Sequence, residues 1–251
     1  MTKTIDLNAD AGESYGTWQL GADAALFPYL TSVNLACGFH AGDPSTILRS
    51  LELAAKHQLA VGAHPSFPDL VGFGRREMTL EPDQIYSDVL YQIAALGGMA
   101  NTQGLQLHHV KAHGALYNQA ARAITTARAI AKAVRDFGSG VPLVGLPNSK
   151  LEQAALEFGL PFIAEAFPER GYLETGELAP RSLLGSSIHD PDVAATRAVQ
   201  MVLGQIQTLE GTRLAQQAQT LCIHGDNPNA VQIAKAVRAA LEVAGIELRA
   251  Y

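Results

Sequence analysis

The sequence predicts an α/β fold, a (β/α) barrel of about seven strands, and three observations carry that expectation. Short β-like runs alternate with Ala/Leu-rich stretches of helical periodicity along the 251 residues. Several runs alternate polar with apolar side chains, whereas parallel strands buried on both faces read as nearly continuous apolar runs, so one face of these strands is polar. Polar residues and glycines also gather where the runs end, the face at which a β/α barrel builds its active site.

The runs are 4–9 (TIDLNA), 31–36 (TSVNLA), 59–63 (LAVGA), 106–112 (QLHHVKA), 141–146 (VPLVGL), 160–164 (LPFIA) and 220–224 (TLCIH). The helical stretches between them are 45–57, 82–98, 123–137, 149–158, 190–209 and 228–244. Asp43-Pro44, Asp190-Pro191 and Asn227-Pro228 each read as an N-cap followed by proline at the first helical position. Strand–helix alternation requires parallel strands joined by right-handed crossovers. Seven such units over this length favour a closed barrel, expected to form one domain over residues 1–251.

With 47% hydrophobic and 17% charged residues, the chain can bury a large core. Its formal net charge of −6 argues against a nucleic-acid footprint, which needs a basic face. The opening MTKTIDLNAD lacks the apolar core of a signal peptide, and no later stretch is apolar enough to span a bilayer. Cys37 and Cys222 make no disulfide framework and read as small buried fillers. A cytoplasmic protein is expected.

Side-chain period 2 places Asp6, Asn8 and Asp10 on one face of the first strand, opposite Ile5, Leu7 and Ala9. The same holds for Ser32 and Asn34; for His109, Lys111 and His113; and for Cys222, His224 and Asp226. If the apolar sets meet the helices, the polar sets line the barrel interior. An unpaired buried polar group costs about 1–3 kcal/mol, so this many of them argue for an enzyme.

The strand-end segments DLNADAGESYG, SVNLACGFHAGD, GAHPSFPD, VKAHGALYN, EAFPERGY and CIHGDNP supply the candidates. Asp10, His40, His64, Lys111, His113, Glu165, His224 and Asp226 are the expected catalytic set. Asn8, Glu13, Asn34, Arg75, Arg170 and Arg181 are the expected substrate contacts. Asp43 reads as a helix cap, and His57 and His108 as scaffold or solvated residues. His109 and His113 have the spacing of helical metal ligands, but on a strand four residues span about 13 Å, too far for one zinc. No G-x-x-x-x-G-K-[ST] loop, no G-x-G-x-x-G after a strand and no G-x-S-x-G elbow occurs, so the chain carries no familiar nucleotide cradle or serine nucleophile.

The segments DLNADAGESYG, NLACGFHAGDP, GAHPSFPDLVGFGRR, KAHGALYN, EAFPERGY, LAPRS and CIHGDNP, in order from residue 6 to 228, resemble the 5-oxoprolinase A-subunit family, also described as the lactam-utilization protein family. The chain departs from the family pattern at Ala112, where proline is usual, and at Pro168-Glu169, where Ala-Asp is common. The resemblance implies ATP-dependent opening of 5-oxo-L-proline (pyroglutamate) to L-glutamate, carried out with two other 5-oxoprolinase subunits and with ATP as co-substrate. It also implies a barrel similar to that of the glycoside hydrolase and deacetylase group, some of whose members hold a metal with Asp and two His. The analogous trio here is Asp10, His40 and His64. Whether a divalent metal takes part, and which chain binds ATP, the resemblance leaves open.

On that reading His64, His113 or Asp10 serves as general base, Lys111 and backbone N–H groups stabilise the oxyanion, and Arg75, Arg170 or Arg181 holds a carboxylate or phosphate. The rival reading is a stand-alone metal-dependent deacetylase or hydrolase on the same barrel. A regulatory small-molecule binder is a third.

Overall fold

The computed structural model describes residues 3–138 and 140–251, and among them seven parallel strands close into a barrel. The strands are β1 (Thr4–Ala11), β2 (Ser32–Ala36), β3 (Ala60–His64), β4 (Leu107–Lys111), β5 (Leu143–Gly145), β6 (Phe162–Ala166) and β7 (Thr220–His224). They pair in chain order, and β1 closes the ring by pairing β2 on one side and β7 on the other. A two-residue β8 (Glu247–Leu248) adds to the start of β1, opposite Thr4 and Ile5.

The helices are α1 (Asp23–Leu26), α2 (Pro44–Lys56), α3 (Pro82–Thr102), α4 (Gly114–Arg122), α5 (Ile124–Phe137), α6 (Lys150–Glu157), α7 (Pro191–Val202) and α8 (Ala230–Val243). Ile5, Leu7 and Ala9 of β1, Val33 and Leu35 of β2 and Leu221 and Ile223 of β7 are buried in one apolar cluster with residues of the helices. The alternate set on the same strands turns inward, as period 2 requires.

That inward set is tiered. At the bottom, the Asp6 carboxylate accepts from Thr31 Oγ1 at 2.6 Å, from Ser32 Oγ at 2.8 Å and from Thr220 Oγ1. Burial drives the Asp6 pKa above its ordinary value, against the lowering effect of those hydroxyls. In the next tier Asn34 donates to Asn8 Oδ1 at 2.8 Å, Asn8 donates to Thr220 Oγ1 and Glu165 Oε1, and His109 Nε2 meets Asn34 Oδ1 at 2.6 Å. The His109 ring enters this tier because Gly62 on the neighbouring strand has no Cβ, and the β3–β4 register shifts at that point.

Capping sets the helix starts. Asp43 accepts from the N–H groups of Ser45 and Thr46, and Asp190 from those of Asp192 and Val193, each ahead of a proline. Asn227-Pro228 departs from that expectation: Asn227 accepts from Asn229 N in a turn, and α8 begins only at Ala230. The stretch expected to be helical to residue 209 ends at Val202, since Gly204 takes a left-handed φ of 74° just beyond the cap. Helices α1 and α4 and strand β8 were not expected. The start of α4 lies inside the polar segment VKAHGALYN, which masks its period.

A methyl group at residue 62 would land on the His109 imidazole. Gly62→Ala is therefore expected to lower stability by about 1–3 kcal/mol, the usual cost of overpacking a filled interior. Urea unfolding should read this as a lower midpoint at unchanged m-value.

Candidate active site

At the C-terminal ends of the strands the interior opens into a cavity of about 360 Å³. Asp10, His64 and Lys111 meet it from β1, β3 and β4, and His224 from β7. Its walls come from the start of α4, from the loop after β3 with Arg75, and from the long loop after β6 with Phe167, Arg170 and Arg181.

Lys111 holds the floor together. Its Nζ lies 2.9 Å from Asp10 Oδ1, 2.8 Å from Glu165 Oε1 and 2.9 Å from Cys222 Sγ. Burial alone would lower its pKa, but Asp10, Cys222 and Glu165 overcome that and hold it well above the ordinary lysine value. Burial likewise opposes the Asp10 charge, and His64 and Lys111 overcome it, leaving Asp10 well below the usual carboxylate range. Both groups are therefore charged at neutral pH. An ammonium has three donors, and these three contacts engage all of them. Lys111 thus polarises and fixes Asp10; it has no proton left to give an oxyanion, contrary to the expected role. Asp10 Oδ1 also accepts from Asn34 Nδ2 at 2.9 Å, which leaves Oδ2 directed at His64 Nε2, 3.4 Å away.

Beside the floor stand three imidazoles and a carboxyl group. His64 Nδ1 lies 2.7 Å from the Lys111 carbonyl oxygen, and His113 Nε2 lies 2.9 Å from that of Phe73. The inner nitrogens, His64 Nε2 and His113 Nδ1, face each other at 3.0 Å. The His40 ring stacks on His113 at 3.8 Å between centroids and directs Nε2 to Glu13 Oε1 at 3.2 Å. Glu13 Oε1 is 3.5 Å from His113 Nδ1. Each of these four residues offers a ligand atom within 4.8 Å of the other three. Burial, reinforced by Asp10 and Asp226, raises the Glu13 pKa well above its ordinary value. Burial and the adjacent imidazoles hold His40 and His113 well below the ordinary histidine value.

The remaining expected residues fall into distinct places. Glu165 is buried under Lys111 and accepts from Tyr117 OH at 3.0 Å. Asn8 and Asn34, expected to touch substrate, lie in the tier below the cavity, where their side chains are engaged by Thr220, Glu165, Asp10 and His109. Glu13 and His40 sit behind His113 and do not line the cavity. His224 stacks on Phe167 and shares Glu169 with the side chain of Asn227. Asp226 pairs with Arg75 at 2.6 Å across the mouth. Arg170 donates to the carbonyls of Ser186 and Ala179, and burial together with nearby Arg181 lowers its pKa to about 10. Arg181 lines the cavity, and among the described residues no side chain pairs with it. Cys37 is buried, and burial pushes its thiol up to about 12. Tyr117, Phe167 and Glu169 were missed, because nothing marks a tyrosine inside an Ala-rich segment or an apolar ring beside a proline as part of a site.

The profile of the LamB/YcsF family matches residues 5–251 of this sequence. The chain belongs to the LamB/YcsF family. Among its relatives, the 5-oxoprolinase A subunit of a Thermus thermophilus strain is 59% identical over 248 residues, covering 98% of this chain and 99% of the relative. That of Bordetella pertussis is 50% identical over 251 residues, all of both chains. The crystal structure of the lactam utilization protein from Thermus thermophilus superposes with a TM-score of 0.95 at 57% identity, covering 99% of this chain and 100% of that one. A putative cellobiose-phosphate cleavage protein from Enterococcus faecalis, at 14% identity and a TM-score of 0.58 over 99% and 97% of the two chains, shares the fold of this LamB/YcsF member. Among the described residues no helix is long and apolar enough to cross a membrane.

The lowered histidines make the fold acid-sensitive. His109, like His40 and His113, is held well below the ordinary value by burial and by His108. A histidine with a depressed folded-state pKa contributes stability that is complete above about 6.5 and is lost as pH falls toward the folded value, since the unfolded chain then binds more protons. Glu13, Asp6, Asp23 and Asp88, whose pKa values burial raises, work in the opposite sense, but three of them start from the aspartate value well below the pH window, so the histidines dominate. Tm is expected to fall by at least about 5 °C between pH 7.5 and 5 at constant ionic strength, readable by calorimetry; a flat profile would mean these rings are protonated in the native state.

Proposed function

We propose that this chain is the lactam-opening subunit of a cytoplasmic ATP-dependent 5-oxoprolinase, converting 5-oxo-L-proline to L-glutamate in a complex with two other subunits. The observation that carries the reading is the cavity: a charged Asp10 fixed by Lys111 at its floor, with Arg75, Arg170 and Arg181 on its walls. Its volume suits a small cyclic amide, and the arginines suit an anionic group such as the substrate carboxylate or a phosphate. The names of the relatives support the same substrate.

The chemistry must overcome a weakly electrophilic amide. Transfer of the ATP γ-phosphoryl group to the amide oxygen releases ADP and activates the carbon. Water then adds to that carbon as a base takes its proton. The ring C–N bond breaks as nitrogen gains a proton, and a second water frees phosphate from the acyl phosphate, leaving glutamate. Asp10 Oδ2 is the base best placed for the first addition, because Lys111 and Asn34 occupy Oδ1 and hold the carboxylate in one orientation. His224, ordered by Glu169 and Phe167, stands across the floor as a proton donor to the leaving nitrogen. Arg181, with no protein partner among the described residues, is assigned to the substrate anion.

The sequence carries none of the familiar nucleotide-binding motifs, so partners are expected to complete the ATP site. The purified chain alone should release negligible glutamate from pyroglutamate and ATP, and addition of the two other subunits should restore it. Robust turnover by the chain alone, or turnover without ATP, would sink the reading in favour of a stand-alone hydrolase.

In the reconstituted complex Asp10→Asn is expected to lower kcat at least about 100-fold, the usual scale for lost acid–base assistance. Arg181→Ala should act mainly on KM, raising it by about 10-fold or more, as loss of one charge-assisted contact requires. Asp43→Asn, which preserves the α2 cap, should change neither by more than about twofold. Loss of activity in Asp43→Asn with Asp10→Asn intact would reverse the division between scaffold and chemistry.

A further inference from the structure

The carbonyl contacts settle where the protons of two imidazoles lie. A carbonyl oxygen only accepts, so His64 donates from Nδ1 to Lys111 O and His113 donates from Nε2 to Phe73 O. Each neutral ring then presents a bare lone pair from its other nitrogen, and these two nitrogens are 3.0 Å apart. Asp10 Oδ2 at 3.4 Å from His64 Nε2 and Glu13 Oε1 at 3.5 Å from His113 Nδ1 add further acceptors. His40 brings Nε2 to within 3.2 Å of Glu13 Oε1, and its Nδ1 has no partner among the described residues. With its proton on the unpartnered Nδ1, Nε2 presents a lone pair as well; the other tautomer donates from Nε2 to Glu13 and leaves Nδ1 a buried acceptor without a donor. Lone pairs that face one another without a donor repel, and a cation or a shared proton between the His64 and His113 nitrogens removes that repulsion.

We propose that Glu13, His40, His64 and His113 form a binding site for a divalent transition metal of the zinc class. Three separations between ligand atoms, 3.0, 3.2 and 3.5 Å, are close to the roughly 3.3 Å edge of a tetrahedron of donors about 2.0–2.1 Å from its centre, and all four atoms lie within 4.8 Å of one another, so binding draws the remaining pairs together. Three imidazoles and one carboxylate select zinc, cobalt or nickel over magnesium and calcium, which take oxygen ligands. The carbonyls of Lys111 and Phe73 are the outer acceptors that orient metal-bound histidines. The set differs from the Asp10, His40, His64 trio suggested by resemblance: Asp10 is committed to Lys111 through Oδ1, and Glu13 and His113 complete the group instead. His64 and His113 line the catalytic cavity, so a metal held between them adjoins the place where substrate is proposed to sit.

The test measures metal directly and is independent of which amide is cleaved, so its failure leaves the lactam reading standing. The full chain is stripped with a chelator, desalted, supplied with Zn²⁺ or Co²⁺, passed through gel filtration and assayed by mass spectrometry. One equivalent per chain is expected, with visible Co²⁺ ligand-field bands of low coordination number. His113→Ala should weaken binding at least about 100-fold, since loss of even an outer partner costs about 10–100-fold. His57→Gln, half-buried at the C-terminal end of α2, should retain one equivalent. An anomalous difference map at the zinc edge from wild-type crystals requires no variant and should place the ion between the four side chains. Uptake below about a tenth of an equivalent, a peak elsewhere, or undiminished binding by folded His113→Ala overturns the proposal. So does a metal-free protein whose ¹⁵N spectra show both His64 ring nitrogens protonated at neutral pH and which takes up no metal, because a bridging proton then fills the gap alone.

Discussion

One buried ammonium governs the interior of this barrel. Lys111 is 2% exposed, and its Nζ is in contact with Asp10, Glu165 and Cys222. Charges this deep persist only when each meets an opposite charge and its remaining polar atoms are hydrogen-bonded. The consequences run outward in both directions. Glu165 needs Tyr117 and Asn8, Asn8 needs Asn34 and Thr220, and Thr220 needs Asp6, so the polar tiers continue to the bottom of the barrel. Toward the cavity, Lys111 fixes Asp10, while its own carbonyl fixes the tautomer of His64. The same residue therefore sets both a carboxylate orientation and a histidine lone pair.

Such a network is more demanding than an apolar filling. A seven-stranded barrel lined by valine and leucine would close at least as readily, since well-packed hydrophobic residues often match or exceed a buried ion pair in stability. What the polar filling adds is definition. Through the lower tiers and the floor each polar side chain is engaged by a neighbour on another strand, and a shift of one strand would leave several buried groups unpaired at about 1–3 kcal/mol each. The register that places Asp10 beside Asn34 and His224 is thereby held by hydrogen bonds as well as by packing.

Much of this was legible in the sequence because period 2 is a strong signal when polar and apolar residues alternate strictly. Asp6, Asn8 and Asp10 could be placed on the inner face of β1, and Lys111 and His113 beside them on another segment, from spacing alone. Spacing says which face a residue takes, not how far along the barrel axis its side chain reaches. That is why Asn8 and Asn34, correctly turned inward, were expected as substrate contacts and lie a tier below the cavity. It is also why Lys111 was expected to stabilise an oxyanion: nothing in VKAHGALYN shows that Glu165 and Cys222, more than 50 positions away in the chain, use up its remaining protons. The α4 segment escaped for a different reason. It is nine residues long and opens on Gly114 directly after the polar strand end, so its apolar face of Ala115, Leu116, Tyr117 and Ala120 is too short to stand out as a helical stripe.

The grouping of Glu13 with His40, His64 and His113 shows the limit of reasoning by strand ends. Glu13 and His40 come from the loops after β1 and β2, two residues past Ala11 and four past Ala36. Their convergence depends on Gly12, Gly38 and Gly42, whose left-handed backbones fold the two loops over the barrel end. At Gly42 an added Cβ would come within 3.0 Å of both the Ala36 and Gly12 backbones, so the loops interlock only as closely as glycine allows. The close approach brings a carboxyl group behind His113 and stacks His40 upon it, converting two loop residues into partners of two residues at strand ends. The turns that let the loops cross are thus the turns that bring Glu13 and His40 to His64 and His113 beside the cavity.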